Sequence, residues 1–342
     1  MAKATQKAIQ IGRVTIAPGE RASVPLPIAD LYTHTEMNMT VEVINGKKPG
    51  PTLCVCAAIH GDEINGTEVV RQLLKTSSLK QLRGALIAVP IVNVLGFLNL
   101  SRYLPDRRDL NRSFPGSRKG SAASRLADTF CREVLAQSDC GIDLHTAAVH
   151  RTNLPQIRAD LSSPAVEDIA AVFGAPVIVN AENRGGSLRG HAGELGIPLL
   201  VYEAGEALRF DDVAIRTGVR GVLRVMRHLG MLPRKAPASF GEPVIAHDSA
   251  WVRAPNSGLM VKRAKLGARV KTGEMIAEIA DPSGRESTEV RSPHEGIVIG
   301  SAQLPLVHEG DAICHIATFD APSTAAKTVA AFNEHHKQFG FS

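Results

Sequence analysis

The stretch Leu53-Cys54-Val55-Cys56-Ala57-Ala58-Ile59-His60-Gly61-Asp62-Glu63 carries the clearest structural signal in the chain. Its first seven residues form an uninterrupted apolar run, which is typical of a strand buried on both faces of a parallel sheet. His60 and Glu63 follow where that strand ends. Because open α/β sheets bind ligands outside the carboxyl ends of their strands, this stretch predicts both a fold class and the place of a site.

The surrounding sequence contains similar apolar runs. Further apolar runs indicate parallel strands, and helical patterns lie between them, which together predict an α/β sheet with both faces covered. The predicted strands are Leu53–Ile59, Ala85–Val89, Gly141–Leu144 and Leu199–Val201, and the predicted helices are Glu68–Leu74, Ser121–Leu135 and Ser163–Phe173. Before them, residues 8–50 alternate apolar and polar side chains, which predicts short antiparallel strands through Ile9, Ile11, Val14 and Ile16 and through Met39, Val41 and Val43.

The C-terminal third has a different organisation. A Pro-containing segment, Leu232–Ser239, is a plausible linker. Beyond it, residues 253–261 resemble residues 291–299, and each copy is followed by a glycine, an acidic residue and two apolar residues. Two copies of one β unit predict a small barrel-like domain. The predicted boundaries are a catalytic domain over 1–235, with an N-terminal β extension over 1–50, a β domain over 240–320 and a helical tail over 321–342.

This repeat resembles the biotinyl/lipoyl barrel, which suggests a prosthetic-group carrier as a rival function. Carriers of that type attach the group to a lysine in the turn between the two repeats. The corresponding turn here is Asp281-Pro282-Ser283-Gly284-Arg285, which contains no lysine. A structural role for the β domain is therefore expected.

Composition excludes several functional classes. With 44% hydrophobic and 21% charged residues, the 342-residue chain is typical of a globular protein, and no apolar run approaches the roughly 20 residues that span a bilayer. The net charge is +5, but aromatic residues make up only 4% and the arginines are dispersed, so we expect no nucleic-acid binding. A basic balance suits a small anionic substrate.

Two further features predict a cytoplasmic location. The basic residues at the N-terminus, Met1–Lys7, are not followed by the long apolar segment of a secretory signal. The five cysteines are scattered at 54, 56, 131, 140 and 314, and an odd number without framework spacing fits a reducing compartment.

Three residues at predicted strand ends form a candidate metal site. His60 and Glu63 lie on the turn that leaves one strand, and His145 lies in Asp143-Leu144-His145-Thr146 at the end of another. A catalytic zinc needs three protein ligands and one open position for water. His60, Glu63 and His145 supply that set, which predicts one Zn²⁺ per chain.

Four motifs occur in the order of the succinylglutamate desuccinylase/aspartoacylase family, which the chain resembles over nearly its whole length. They are His60-Gly61-Asp62-Glu63, Asp109-Leu110-Asn111-Arg112, Asp143-Leu144-His145 and Tyr202-Glu203-Ala204-Gly205. The resemblance implies a zinc-carboxypeptidase-like mixed sheet flanked by helices, with a smaller C-terminal all-β barrel-like domain. It also implies zinc-dependent hydrolysis of the amide bond of a small N-acyl amino acid.

The resemblance further implies roles for individual residues. Asn111 and Arg112 would hold the substrate carboxylate, Arg102 would polarise the scissile carbonyl, and Arg189 matches a substrate-binding arginine more loosely. Glu203, at the end of an apolar run, is a carboxylate that could take a proton from water and pass it to the leaving amine. Asp109 could orient either Arg112 or a zinc-bound histidine.

Two alternative functions stay open at this stage. One is a zinc metallocarboxypeptidase, and the other is a non-catalytic binding or scaffold protein that has retained the fold. The acyl group, the amino acid and the formation of homo-oligomers are likewise left open by the sequence.

Overall fold

The computed structural model describes residues 5–235 and 241–337. Its helices are α1 (Asn65–Leu74), α2 (Val94–Leu98), α3 (Ala122–Glu133), α4 (Pro164–Phe173), α5 (Leu188–Glu194), α6 (Asp212–His228) and α7 (Pro322–Lys337). Its strands are β1 (Ile9–Ile11), β2 (Val14–Ile16), β3 (Arg21–Asp30), β4 (Glu36–Asn45), β5 (Lys48–Ala57), β6 (Arg83–Val89), β7 (Cys140–Ala147), β8 (Arg151–Ala159), β9 (Val177–Asn180), β10 (Leu199–Glu206), β11 (Val244–Ala246), β12 (Asp248–Arg253), β13 (Gly258–Lys262), β14 (Arg269–Val270), β15 (Met275–Ala280), β16 (Ser287–Arg291), β17 (Gly296–Ala302), β18 (Leu306–Val307) and β19 (Ala312–Thr318).

A large mixed sheet organises the molecule, as predicted. Its main path runs in the order β12-β19-β17-β8-β10-β7-β5-β6-β4-β3. The middle strands β10, β7, β5 and β6 are parallel to one another, and antiparallel strands adjoin them on both sides. Strand β3, which carries Pro25 and Pro27, lies at one end of this path, where a missing backbone donor is tolerated.

Apolar cores cover both faces of the parallel strands. Val55 packs into the core formed with α1, α4 and α6, whereas Cys54 and Cys56 pack into the opposite core with α3 and the N-terminal strands. Alternate side chains of a strand point to opposite faces, which explains why β5 is apolar without interruption. All five cysteines are buried and free.

The C-terminal β region has two parts. Strands β13, β15, β16 and β18 form a separate four-stranded sheet, whereas β12, β17 and β19 continue the large sheet. The two sequence repeats begin their strands alike. A Cβ atom added at Gly258 or Gly296 would lie 2.5 Å from the carbonyl oxygen of Ala280 and 2.2 Å from that of Ala317, respectively. Both repeats thus need glycine where a neighbouring backbone passes close by.

Strand β8 joins the two regions, because it pairs with β10 on one side and with β17 on the other. The sequence did not predict this strand, whose segment contains Pro155 at an irregularity in the pairing with β10. Three segments lie outside the described residues: 1–4, 236–240 and 338–342. They include the second half of the predicted linker and the end of the predicted helical tail. Within the described part of the chain, no helix has the length and apolarity needed to cross a membrane.

Candidate metal centre and active site

The structure brings His60, Glu63 and His145 together at the carboxyl ends of two neighbouring parallel strands. His60 and Glu63 lie on the loop after β5, and His145 lies near the end of β7. All three side chains are buried, and their ligating atoms lie within 4.8 Å of one another. Gly61 permits this loop, because a Cβ atom there would lie 2.0 Å from the backbone of Gly96.

Glu63 connects the two imidazole rings. Nδ1 of His60 lies 2.7 Å from Oε1 of Glu63, and Nδ1 of His145 lies 2.7 Å from Oε2. The backbone N–H of Thr146 also donates to Oε2, at 3.1 Å. Burial opposes ionisation of Glu63, but the two histidines outweigh it and lower the pKa of this carboxyl.

Carboxylates hold the other nitrogen of each ring. Nε2 of His60 lies 3.1 Å from Oδ1 of Asp109, and Nε2 of His145 lies 2.8 Å from Oδ2 of Asp143. Burial disfavours the charged form of both rings, but the neighbouring carboxylates outweigh it and raise the pKa of His60 and of His145. Such carboxylate–histidine pairs orient the rings of metal-binding histidines.

This donor set fits a zinc ion. Two imidazole nitrogens and one carboxylate converge, which is a common ligand set of catalytic zinc sites. The outer nitrogen of each ring is already hydrogen-bonded, so the Nδ1 atoms are fixed toward the centre of the cluster. Of the two roles expected for Asp109, the structure shows the contact with the histidine.

Arg102 borders the cluster. Its guanidinium donates to Oε1 of Glu63 at 3.2 Å and to Oδ2 of Asp109 at 3.0 Å. Burial lowers the pKa of Arg102, but the two carboxylates outweigh it and give a net rise, so the side chain keeps its charge. A fixed positive charge therefore lies beside the predicted metal ligands.

Glu203 lies on the neighbouring strand β10, in register with His145 of β7. Residues paired in this way point to the same face of a sheet. Oε2 of Glu203 accepts a hydrogen bond from Nδ2 of Asn153 at 3.0 Å, and its side chain is 19% exposed. Burial raises the pKa of Glu203 despite the nearby positive charge of Arg158. A carboxyl with a raised pKa can both accept and return a proton near neutral pH.

The other predicted residues lie around this centre. Asn111 and Arg112 come directly after Asp109, and Oδ1 of Asn111 accepts the backbone N–H of Leu188 at 2.9 Å. Arg112 is exposed. Arg189 donates from its two terminal nitrogens to the backbone carbonyls of Ala181 and Glu182, at 2.8 Å each, so its guanidinium fork is engaged by the chain itself.

Sequence reasoning missed three side chains at the site. Asp143 had no predicted role, although its position two residues before His145 on a strand places both on one face and could have indicated the contact. Asn153 and Arg158, which lie beside Glu203, were missed because their strand β8 was not predicted.

Comparisons with known proteins agree with this geometry. Residues 49–229, more than half of the chain, match the succinylglutamate desuccinylase/aspartoacylase catalytic domain. The chain belongs to this family. The matched segment contains every predicted site residue from His60 to Glu203, and the family consists of hydrolytic deacylases.

Individual relatives add detail. The chain is 28% identical, over 282 residues, to N-alpha-acetyl-L-2,4-diaminobutyric acid deacetylase from Halomonas elongata, with 78% of this chain and 82% of the relative covered. It is 26% identical to the ectoine utilization protein EutE (DoeB) from Ruegeria pomeroyi in its product-bound structure, with a TM-score of 0.79 and coverage of 88% and 97%. It is also 26% identical to a succinylglutamate desuccinylase/aspartoacylase from Rhodobacter sphaeroides, with a TM-score of 0.77 and coverage of 88% and 95%.

Proposed function

We propose that this protein is a zinc-dependent amidohydrolase that removes the acyl group from a small N-acyl amino acid. The convergence of His60, Glu63 and His145, with Glu203 in register beside His145, carries this proposal. The three ligands would hold one Zn²⁺ per chain. A zinc ion bound there would act as a Lewis acid toward the carbonyl and lower the pKa of a coordinated water.

Glu203 is assigned the proton transfers. Water adds to the acyl carbon, the C–N bond breaks, and the products are a carboxylate and an amine. The amide nitrogen must gain a proton before it leaves, and Glu203 can pass on the proton that it took from water. Its contact with Asn153 holds one carboxylate oxygen and leaves the other for this exchange.

The arginines and Asn111 are assigned to the substrate. Arg102, beside Glu63, would polarise the scissile carbonyl and stabilise the developing negative charge. Arg112 would bind the substrate carboxylate with Asn111, because a guanidinium offers two parallel N–H groups to a carboxylate. Arg189 stays a proposed substrate contact, although its terminal nitrogens are bound to backbone carbonyls here.

The relatives suggest the first substrates to test. The Halomonas elongata relative is a deacetylase of N-acetylated 2,4-diaminobutyrate, so we propose the same amide as a candidate substrate. We also propose that the C-terminal β domain forms a wall of the active site, because β17 pairs with β8, and β8 carries Asn153 beside Glu203. The predicted domain boundaries and a cytoplasmic location, which five free cysteines support, remain part of this proposal.

Two measurements test the function. Metal analysis of the purified protein should give one tightly bound zinc per chain. A panel of N-acetyl, N-succinyl and N-formyl amino acids, including N-acetyl-L-2,4-diaminobutyrate, should show amine release from at least one member that stops when a chelator removes the metal. A zinc-free protein, or release that survives chelation, contradicts the proposal.

A further inference from the structure

Arg158 is a partly buried arginine that the proposed reaction does not use. It lies on β8, two residues after Gln156, which is in register with Glu203. Its side chain is 29% exposed, so that it can be reached from solvent. Its Nε atom is nevertheless buried and has no hydrogen-bond partner among the described residues. A buried donor without a partner is costly unless a ligand or solvent supplies an acceptor.

Glu203 does not supply that acceptor. Nε of Arg158 lies 3.9 Å from Oε1 of Glu203, which is beyond hydrogen-bond distance. The other oxygen of Glu203 is held by Asn153 at 3.0 Å, which fixes the carboxylate where it is. Arg158 is therefore close enough for an electrostatic interaction with Glu203, but its Nε–H donor stays free of a hydrogen bond from the described part of the chain.

A second arginine, Arg189, lies near Arg158, and the carboxylates of Asp160 and Glu203 lie near Arg189. Arg189 is near enough that, after burial, the charge of Arg158 is the next cause that lowers its pKa. The charge of Arg158 also contributes, after burial, to the lowered pKa of His315, which lies on β19 of the C-terminal region. Because the fork of Arg189 is bound to two backbone carbonyls, Arg158 is the guanidinium in this group that can still offer its fork to an anion.

We infer that Arg158 is a specificity-determining residue that binds a carboxylate of the substrate next to Glu203. This inference rests on the proposed function. A planar guanidinium with a buried, unused donor matches a carboxylate, which supplies two acceptor oxygens in the same plane. Because Arg112 and Asn111 are assigned the carboxylate that every N-acyl amino acid carries, the group bound by Arg158 is a second carboxylate, on the amino-acid side chain or on the acyl group. The experiment separates these two sources.

The experiment compares substrates that differ by one carboxylate. N-acetyl-L-2,4-diaminobutyrate is the reference, and its α-carboxamide lacks the α-carboxylate. The N-succinyl analogue adds a carboxylate on the acyl group, and N-acetyl-L-aspartate adds one on the side chain. Steady-state KM and kcat are measured for the wild type, Arg158→Met and Arg158→Lys. Arg118→Met is the matched control, because Arg118 is an exposed arginine paired with Asp128.

The expected result is a loss of affinity confined to substrates that carry the carboxylate recognised by Arg158. Arg158→Met should raise KM by about tenfold or more for substrates that carry the recognised group. Because the substitution also removes a charge that lowers the pKa of Glu203, any change in kcat should be the same for every substrate. The KM of substrates that lack the recognised carboxylate should not change. Arg158→Lys should restore part of the affinity, and Arg118→Met should match the wild type. Equal losses with and without each carboxylate, or no loss on any substrate, would overturn the inference.

A binding measurement separates this inference from the proposed function. Titration calorimetry on the Glu203→Gln variant measures binding without turnover. The ligands are N-succinyl-L-2,4-diaminobutyrate, N-acetyl-L-aspartate and the carboxylate-free amide. If the wild type hydrolyses none of the panel but binding still depends on Arg158 and on one carboxylate, the proposed function fails and the carboxylate subsite stands. If hydrolysis occurs and neither KM nor binding depends on Arg158, the subsite fails and the function stands.

Discussion

Two regions of this molecule bury histidine side chains to nearly the same extent but in opposite electrostatic surroundings. His145 is 4% exposed and lies between Glu63 and Asp143. His315 is 3% exposed, stacks on Trp251 with ring centroids 4.7 Å apart and planes 11° apart, and lies near Arg158. The pKa of His145 is raised, whereas burial, helped by Arg158, lowers the pKa of His315 to about 3.

The difference shows that burial alone does not prepare a histidine for a metal. Burial favours the neutral ring at both positions. What distinguishes His145 is a carboxylate at each ring nitrogen, one that can share a metal ion and one that fixes the ring. His315 has an aromatic surface and a cation instead, so that its ring serves packing between strands.

The largest expected effect tests the difference between the two buried histidines directly. His145→Ala removes a proposed ligand and should abolish both bound zinc and turnover, because a catalytic zinc site needs its three protein ligands. His315→Ala, the matched change at the other buried histidine, should retain one zinc per chain. Metal analysis of both folded variants checks this, and stoichiometric zinc in His145→Ala would contradict the ligand assignment.

Glu203→Gln tests the residue beside His145 that is assigned the proton transfers. The amide side chain keeps the shape but cannot move a proton, so amide turnover should fall by about 10²–10⁴-fold while zinc content is unchanged. An activated ester, whose leaving group needs no proton, should lose much less. Equal losses on the amide and the ester would reduce Glu203 to a role in orienting water or holding the fold.

Asp143→Asn removes one of the two carboxylates that contact His145, which makes its surroundings more like those of His315, where no carboxylate is in contact among the described residues. The substitution removes the charge that holds Nε2 of His145, so zinc affinity or activity should fall by about 10–100-fold. Competition with a chromophoric chelator measures the affinity. The control is Asp168→Asn, because Asp168 pairs with an exposed histidine, His228, on the surface. Unchanged affinity in Asp143→Asn would show that its contact does not orient the ligand.

The smallest expected effect concerns stability at the second histidine. The folded protein keeps His315 neutral, whereas the unfolded chain takes up a proton below about pH 6.5. The unfolding free energy therefore contains a contribution that is present above pH 6.5 and falls as the pH drops toward 3, by at most about 1.4 kcal/mol per pH unit.

His315→Phe keeps a stacking ring and removes this proton uptake. Denaturant unfolding between pH 7 and 5 should therefore show a shallower decline for the variant than for the wild type. His308→Phe, at an exposed histidine, should keep the decline of the wild type. Parallel curves for His315→Phe and the wild type would contradict the neutral assignment of His315.

Local patterns predicted the parallel centre of the fold because both faces of those strands are buried. Leu53–Ile59 matched β5 up to Ala57, and Ser163–Phe173 matched α4, whose apolar side chains recur on one face. Strand β8 escaped prediction because its residues, Arg151–Ala159, mix charged, amide and apolar side chains around Pro155. Its strand conformation depends on pairing with β10 and β17, which are distant in sequence.

The site shows the same division. His60, Glu63 and His145 were predictable because ligand-type residues follow buried strands directly in the sequence. The proximity of Asn153 and Arg158 to Glu203 was not, because it depends on the register between β8 and β10 and on the irregularity near Pro155. The two backbone carbonyls that occupy Arg189 are likewise contacts that no side-chain pattern records.

The continuity of β8 with β10 and β17 limits how this molecule can open. A domain that swings aside as a lid needs a flexible hinge, but here the C-terminal region is joined to the catalytic sheet by a ladder of backbone hydrogen bonds. Rotation of that region would break the ladder and expose an unpaired strand edge. For the proposed reaction, we therefore expect loops and side chains around the site, rather than a moving domain, to control substrate entry and product release.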